Sequence, residues 1–139
     1  MVEKKQEVII SMPLYVQLSP REKAKKYHIN LNQYHHWHYI AKNNIKVKYK
    51  EIATPLLEGL VFDKKIELTF TLWKATKRRI DRANPLSIHE KFFCDALTEL
   101  GCIPDDNDSH IYATHYYTGG IDRENPRVDI KIREVDHNG

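Results

Sequence analysis

Residues 77–110 read KRRIDRANPLSIHEKFFCDALTELGCIPDDNDSH. This sets Asp81 and Asn84 ahead of a helix-forming run, Lys91 and Asp95 on it, and Asp105, Asp106 and Asp108 beyond its glycine. Acids on either side of a short helix can meet in space. Clustered carboxylates repel unless a cation holds them, and the hard dications Mg2+ and Mn2+ prefer oxygen ligands. Lys77, Arg78 and Arg79 stand beside these acids and suit a phosphate backbone. The chemistry expected is metal-dependent phosphodiester cleavage of nucleic acid.

That reaction needs a nucleophilic water, a stabilised phosphorus centre and a leaving oxygen that can bear charge, and metal-bearing carboxylates can supply all three. Asp81 and Asp106 are the first choices as ligands, with Asp105 a near neighbour. Asn84 can offer a neutral oxygen or hold an acid in place. Lys91 could counter charge at the scissile phosphate or orient the water. Ordinary roles compete with each of these. Residues 105–108 could form a turn, because Asp and Asn bond their own backbone. Lys91 and Asp95, at i and i+4, could make a surface pair worth about 0.2–0.5 kcal/mol.

These residues need elements to carry them. The alternation of residues 65–73 (KIELTFTLW) predicts a strand with Ile66, Leu68, Phe70 and Leu72 on one face, delivering Asp81 just beyond its end. Ser87 and Glu90 fit a capping box, so a helix is expected to start after Ser87, to bury Phe92, Phe93, Ala96, Leu97 and Leu100, and to stop at Gly101. A first strand is expected over residues 7–12, stopped by Pro13, and then a loop over the basic residues 19–26 that could order on DNA. A long helix is expected from an Asn32 cap to Pro55, with Tyr34, Trp37, Ala41, Ile45, Tyr49 and Ile52 as its apolar stripe. Lys42, Lys46 and Lys50 make a basic ridge on that helix, suited to a phosphate backbone or simply to solvent. The closing strands, 111–118 and 127–134, are expected to pair as a hairpin across Gly119-Gly120. The order β-α-β-α-β-β describes a single small α/β (α+β-like) domain spanning residues 1–139, with a small mixed sheet and two main helices.

The 139 residues are 41% hydrophobic and 29% charged, enough for one real core. No apolar run approaches the roughly 18–20 residues that span a bilayer, so no membrane partner is expected. The N-terminus lacks the pattern of a signal peptide, and Cys94 and Cys102 make neither a disulfide framework nor a zinc site; a reduced, cytoplasmic protein is expected. His35, His36 and His38 lack metal-ligand spacing and read as an aromatic patch with Trp37. Residues 1–80 hold 16 Lys/Arg against 7 Asp/Glu, a balance of +9, while residues 81–139 hold 6 against 12, a balance of −6. The first part suits phosphates and the second suits a cation, although two such faces can also attract each other within one fold.

Residues 78–106 resemble the RusA family of Holliday junction resolvases. RRID-R-A-N, K-F-F-C-D-A-L-T-E-L-G and P-D-D track the family's RR-D-x-D-N, K-x-x-x-D-A-L-x-x-x-G and D-D, and residues 30–34 (NLNQY) are similar to its early Asn-containing segment. The resemblance implies a homodimer that binds four-way DNA junctions and nicks two opposed strands with Mg2+ or Mn2+. It lays the family's first acid on Asp81, its asparagine on Asn84, its helix lysine on Lys91 and its late acids on Asp105 and Asp106. Two departures stand out. Ala83 occupies the place of the family's second acid, and a methyl group cannot ligate a metal. The interval from Asn84 to Lys91 is about four residues longer than the family's. Glu90 or Asp95 could substitute for the missing ligand, although the capping box gives Glu90 a structural role. Alternative readings are a junction-binding protein that cuts poorly and a non-nuclease α/β interaction domain.

Overall fold

A computed structural model describes residues 6–135; residues 1–5, on which the signal-peptide expectation partly falls, and residues 136–139 lie outside it. The centre of the molecule is β4 (Ile66–Lys74), where the predicted alternation holds: Ile66, Leu68, Phe70 and Leu72 are buried, while Glu67, Thr69 and Thr71 are partly exposed. β6 (Arg127–Glu134) runs antiparallel along one side of β4 and buries Val128, Ile130 and Ile132. Beyond it lies β1 (Glu7–Met12), also antiparallel. β5 (Ile111–Ile121) runs parallel along the other side of β4. The sheet is therefore mixed and four-stranded, in the order β1-β6-β4-β5, within one small α+β domain.

The expected hairpin does not form. β5 and β6 both pair with β4 and not with each other. Gly119 and Gly120 lie inside β5, where its register against β4 shifts between Leu72 and Trp73. A Cβ on Gly119 would stand 2.7 Å from the Trp73 ring. That ring cannot give easily: its Nε1 donates to Asp129 at 3.0 Å, and the Arg127 guanidinium lies 5.1 Å from its centroid. Gly119→Ala is expected to cost about 1–3 kcal/mol of stability, as overpacking does, read as a lower urea midpoint. An unchanged midpoint would mean that the ring moves freely.

The long helix is two. Asn30, not Asn32, caps α1 (Leu31–Tyr34), its side-chain oxygen accepting from the Gln33 amide at 2.8 Å. The chain then turns so that Trp37 stacks on Phe92 at 6.5 Å, and His38 opens α2 (Tyr39–Leu57) as its cap. Pro55 lies inside α2 rather than ending it. Its missing N–H falls so near the C-terminus that the helix closes within the same turn. α2 buries Ile45, Tyr49, Ala53 and Leu57 against the sheet and its neighbour helix.

That neighbour, α3 (Ala83–Glu99), starts five residues earlier than the capping box predicts. The Asp81 side chain accepts from the Ala83 amide at 3.1 Å, and Pro85 is tolerated because first-turn amides have no intrahelical partner anyway. Ser87 and Glu90 are thus interior positions. The predicted stripe is buried at Phe92, Phe93, Ala96 and Leu97, and Gly101 turns the chain at φ 77°. Between β1 and α1, two short strands, β2 (Tyr15–Val16) and β3 (Tyr27–His28), pair antiparallel and hold the basic loop between them. No helix among the described residues is long and apolar enough to cross a membrane.

Candidate nucleic-acid interface and acidic residues

Because β4 and β5 are parallel, α3 must run back along them. Its N-terminus therefore lies at the C-terminal ends of the strands, and Arg82 Nε donates there to Thr118 Oγ1 of β5 at 3.1 Å. A cleft of about 470 Å3 opens at this end. Its lining includes Lys74, Arg78, Arg79, Asp81 and Asn84 from the β4–α3 connection, and Asn30 and Asn32 from the edge of α1. Asp81 is the one carboxylate among those lining residues. Lys74 donates to the Arg78 carbonyl at 3.0 Å, which shapes the connection into a rim of cations. Lys77 is exposed on the same connection.

Asn84 joins the two walls. Its side-chain oxygen accepts from the Leu31 amide at 3.0 Å, so the first turn of α3 caps the first turn of α1. That oxygen is committed to the backbone, which favours the role of holding the site over that of a metal ligand. Sequence reasoning missed Lys74, Asn30 and Asn32 as cleft residues. Lys74, the last residue of β4, could have been found by extending the alternation one step; Asn30 and Asn32 depend on a tertiary contact with α3.

The late acids stand elsewhere. α3 has 17 residues and is about 25 Å long, with Asp81 before its start and Asp105-Asp106 after its end. Asp105 accepts from the Asp106 amide at 2.8 Å and from Asn107 Nδ2 at 3.1 Å, so this stretch is a turn closed by its own side chains. Asp106 folds back far enough to act on Cys94. Burial, then Glu90, Asp106 and Asp95 in that order, push the Cys94 thiol up to about 12. Cys94 stands about 16 Å along the axis from Ala83. The expected meeting of Asp81 with Asp105 and Asp106 in one cleft does not occur within the chain. Among the described residues, no three His, Cys, Asp or Glu side chains gather as a metal site. The helix that was expected to bring the acids together instead keeps them apart.

The remaining candidates have other partners. Glu90 accepts from the Tyr116 hydroxyl, and burial together with this bond raises the Tyr116 pKa. Asp95 pairs with Lys46 at 2.8 Å rather than with Lys91, and Glu99 pairs with Lys50 at 2.8 Å. Two of the three ridge lysines thus tie α2 to α3, and the Asp95 carboxylate raises the Lys46 pKa. The third, Lys42, lies 4.1 Å from the centroid of the Tyr34 ring. Lys91 is exposed on α3. Compared with protein-family models and with curated proteins, the sequence matches none.

Proposed function

We propose that this protein is a metal-dependent endodeoxyribonuclease that binds four-way DNA junctions as a homodimer and nicks opposed strands, like the RusA-family resolvases it resembles. The observation that carries the reading is the cleft in which Asp81 lies among Lys74, Arg78 and Arg79. Neither arginine has a carboxylate partner within 4.0 Å among the described residues, so both are available to phosphates. A dication held by carboxylates at that point would activate water and offset charge on the phosphate.

Among the described residues one chain brings a single acid to the cleft, which does not fit such an ion. The proposed homodimer supplies a remedy. β5 is an outer strand of eleven residues that carries no Lys, Arg, Asp or Glu, and therefore lacks the charges that usually guard a sheet edge. Antiparallel pairing of β5 with its copy about a two-fold axis would set the start of one strand beside the end of the other. The acidic turn that precedes β5 would then approach the partner's α3 N-terminus. In that arrangement Asp81 of one subunit and Asp106 of the partner subunit would together hold the metal.

Ala83, standing where the resemblance expects an acid, favours a second reading: junction binding with little cleavage. A labelled four-way junction incubated with and without Mn2+ separates the two. Paired symmetric nicks that disappear when the metal is omitted are the expected result. Retention without cutting supports the second reading, and equal treatment of branched and linear DNA excludes both.

A further inference from the structure

The ion pairs divide the protein's cations into two populations. Lys46, Lys50, Arg127, Lys131 and Arg133 all meet carboxylates of the fold. Arg21, Lys23, Lys25 and Lys26, in the loop of the β2–β3 hairpin, have no carboxylate partner among the described residues, and Glu22 is the one acid between them. This loop is braced. Gln17 Nε2 donates to the Ala24 carbonyl at 2.8 Å and to that of Glu22 at 3.4 Å. The Lys25 ammonium sits 5.0 Å from the centroid of Tyr27 and the Lys26 ammonium 4.8 Å from that of Tyr15. The rings hold the charges at the surface without neutralising them.

The hairpin is also continuous with the cleft. The Ile29 amide donates to the Leu14 carbonyl at 2.9 Å, closing the base of the hairpin, and Leu14 and Asn30 line the same cleft as Asp81. The hairpin therefore springs from the rim of the opening that Arg78 and Arg79 line, and its loop and residues 77–79 are both basic segments without carboxylate partners among the described residues. Burial and the nearby Lys26 hold the His28 pKa below its usual value, so the charge of the hairpin at neutral pH comes from its lysines and arginine.

We propose that the β2–β3 hairpin is a phosphate-gripping arm that seats the backbone of duplex DNA leading into the Asp81 cleft. The inference rests on reading the cleft as a DNA site. Ammonium groups on a short hairpin contact phosphates rather than base edges, so the arm adds affinity and register without sequence preference.

The test uses the full chain carrying Lys23→Ala, Lys25→Ala and Lys26→Ala together, with Lys46→Ala and Lys50→Ala as the control. Fluorescence anisotropy gives the affinity for a duplex-armed junction between about 50 and 200 mM KCl, the range over which phosphate contacts are strongly screened. In the hairpin variant the slope of log K against log salt is expected to become shallower by about 2–3, with at least a tenfold loss at the low-salt end. The control keeps the wild-type slope. An unchanged slope in a hairpin variant whose circular dichroism is that of the wild type overturns the proposal. So does a slope lowered only in the control, which would seat the phosphates on α2, or tighter binding to single-stranded RNA than to duplex DNA. A wild-type protein that binds DNA without salt dependence, or not at all, overturns the reading of the cleft as well.

Discussion

Asp81→Asn and Asp106→Asn should each lower junction cleavage about a thousandfold, and an equal mixture of the two inactive proteins should cut again. The recovery follows from where α3 leaves the acids. If each site draws Asp81 from one subunit and Asp106 from its partner, a mixed dimer has one site with both acids intact and one with neither. Random exchange makes half the dimers mixed, so about a quarter of the sites return. The product should be single nicks rather than paired ones, since resolution needs both sites. Junction binding by each variant should stay near the wild-type level, because neither change removes a cation. A dead mixture of two well-folded, junction-binding variants would show that the acids do not act across subunits. Wild-type cutting by either variant alone would remove that residue from the chemistry.

Acid should weaken the fold through His89 before it reaches the carboxylates. The His89 ring is fully buried between α2 and α3, with Nδ1 and the Tyr49 hydroxyl 2.9 Å apart and Nε2 without a partner among the described residues. Burial lowers its pKa from 6.5 to about 3. Tyr49 is buried as well, its pKa raised, so it offers a neutral hydroxyl and no counter-charge. The folded state keeps the ring neutral while the unfolded chain binds a proton below 6.5. The contribution is therefore complete above that pH and declines as pH falls toward about 3, at about 1.4 kcal/mol per unit. His28, whose pKa is also lowered, acts in the same direction, so the comparison must be with His89→Leu. Urea unfolding between about pH 6.5 and 5, above the ordinary carboxylate range, should show a steeper decline for the wild type than for the variant. Equal slopes would mean that the ring accepts its proton without unfolding.

What the residues alone disclosed follows the range of the forces involved. The period-two pattern of Ile66 to Leu72 and of Val128 to Ile132, and the stripe from Phe92 to Leu97 with Gly101 behind it, arise from local burial and reappear in the fold. The partner of each strand is a tertiary choice. Nothing within residues 111–134 discloses that β4 stands between β5 and β6, and Gly119-Gly120 imitates a turn while making room for Trp73. The break before Tyr39 is hidden for a similar reason: the stripe continues through Trp37, but the ring packs on Phe92 of another helix. Asp81 and Asn84 were legible as a pair with something to do, and they do share one cleft. The distance to Asp106 was not, because spacing along a chain does not reveal whether an intervening helix doubles back or keeps its ends apart.

The unbroken start of α3 has a consequence for Lys91. Seven residues separate it from Asn84, and at about 100° per residue that returns it to within about 20° of the same meridian, two turns higher. Lys91 therefore shares the α3 face that carries Asn84, about 10 Å farther along the axis from the cleft. Adding or deleting one residue in those two turns would swing it a quarter-circle away. The length of this segment behaves as a phase, and a change of whole turns is the kind it can absorb.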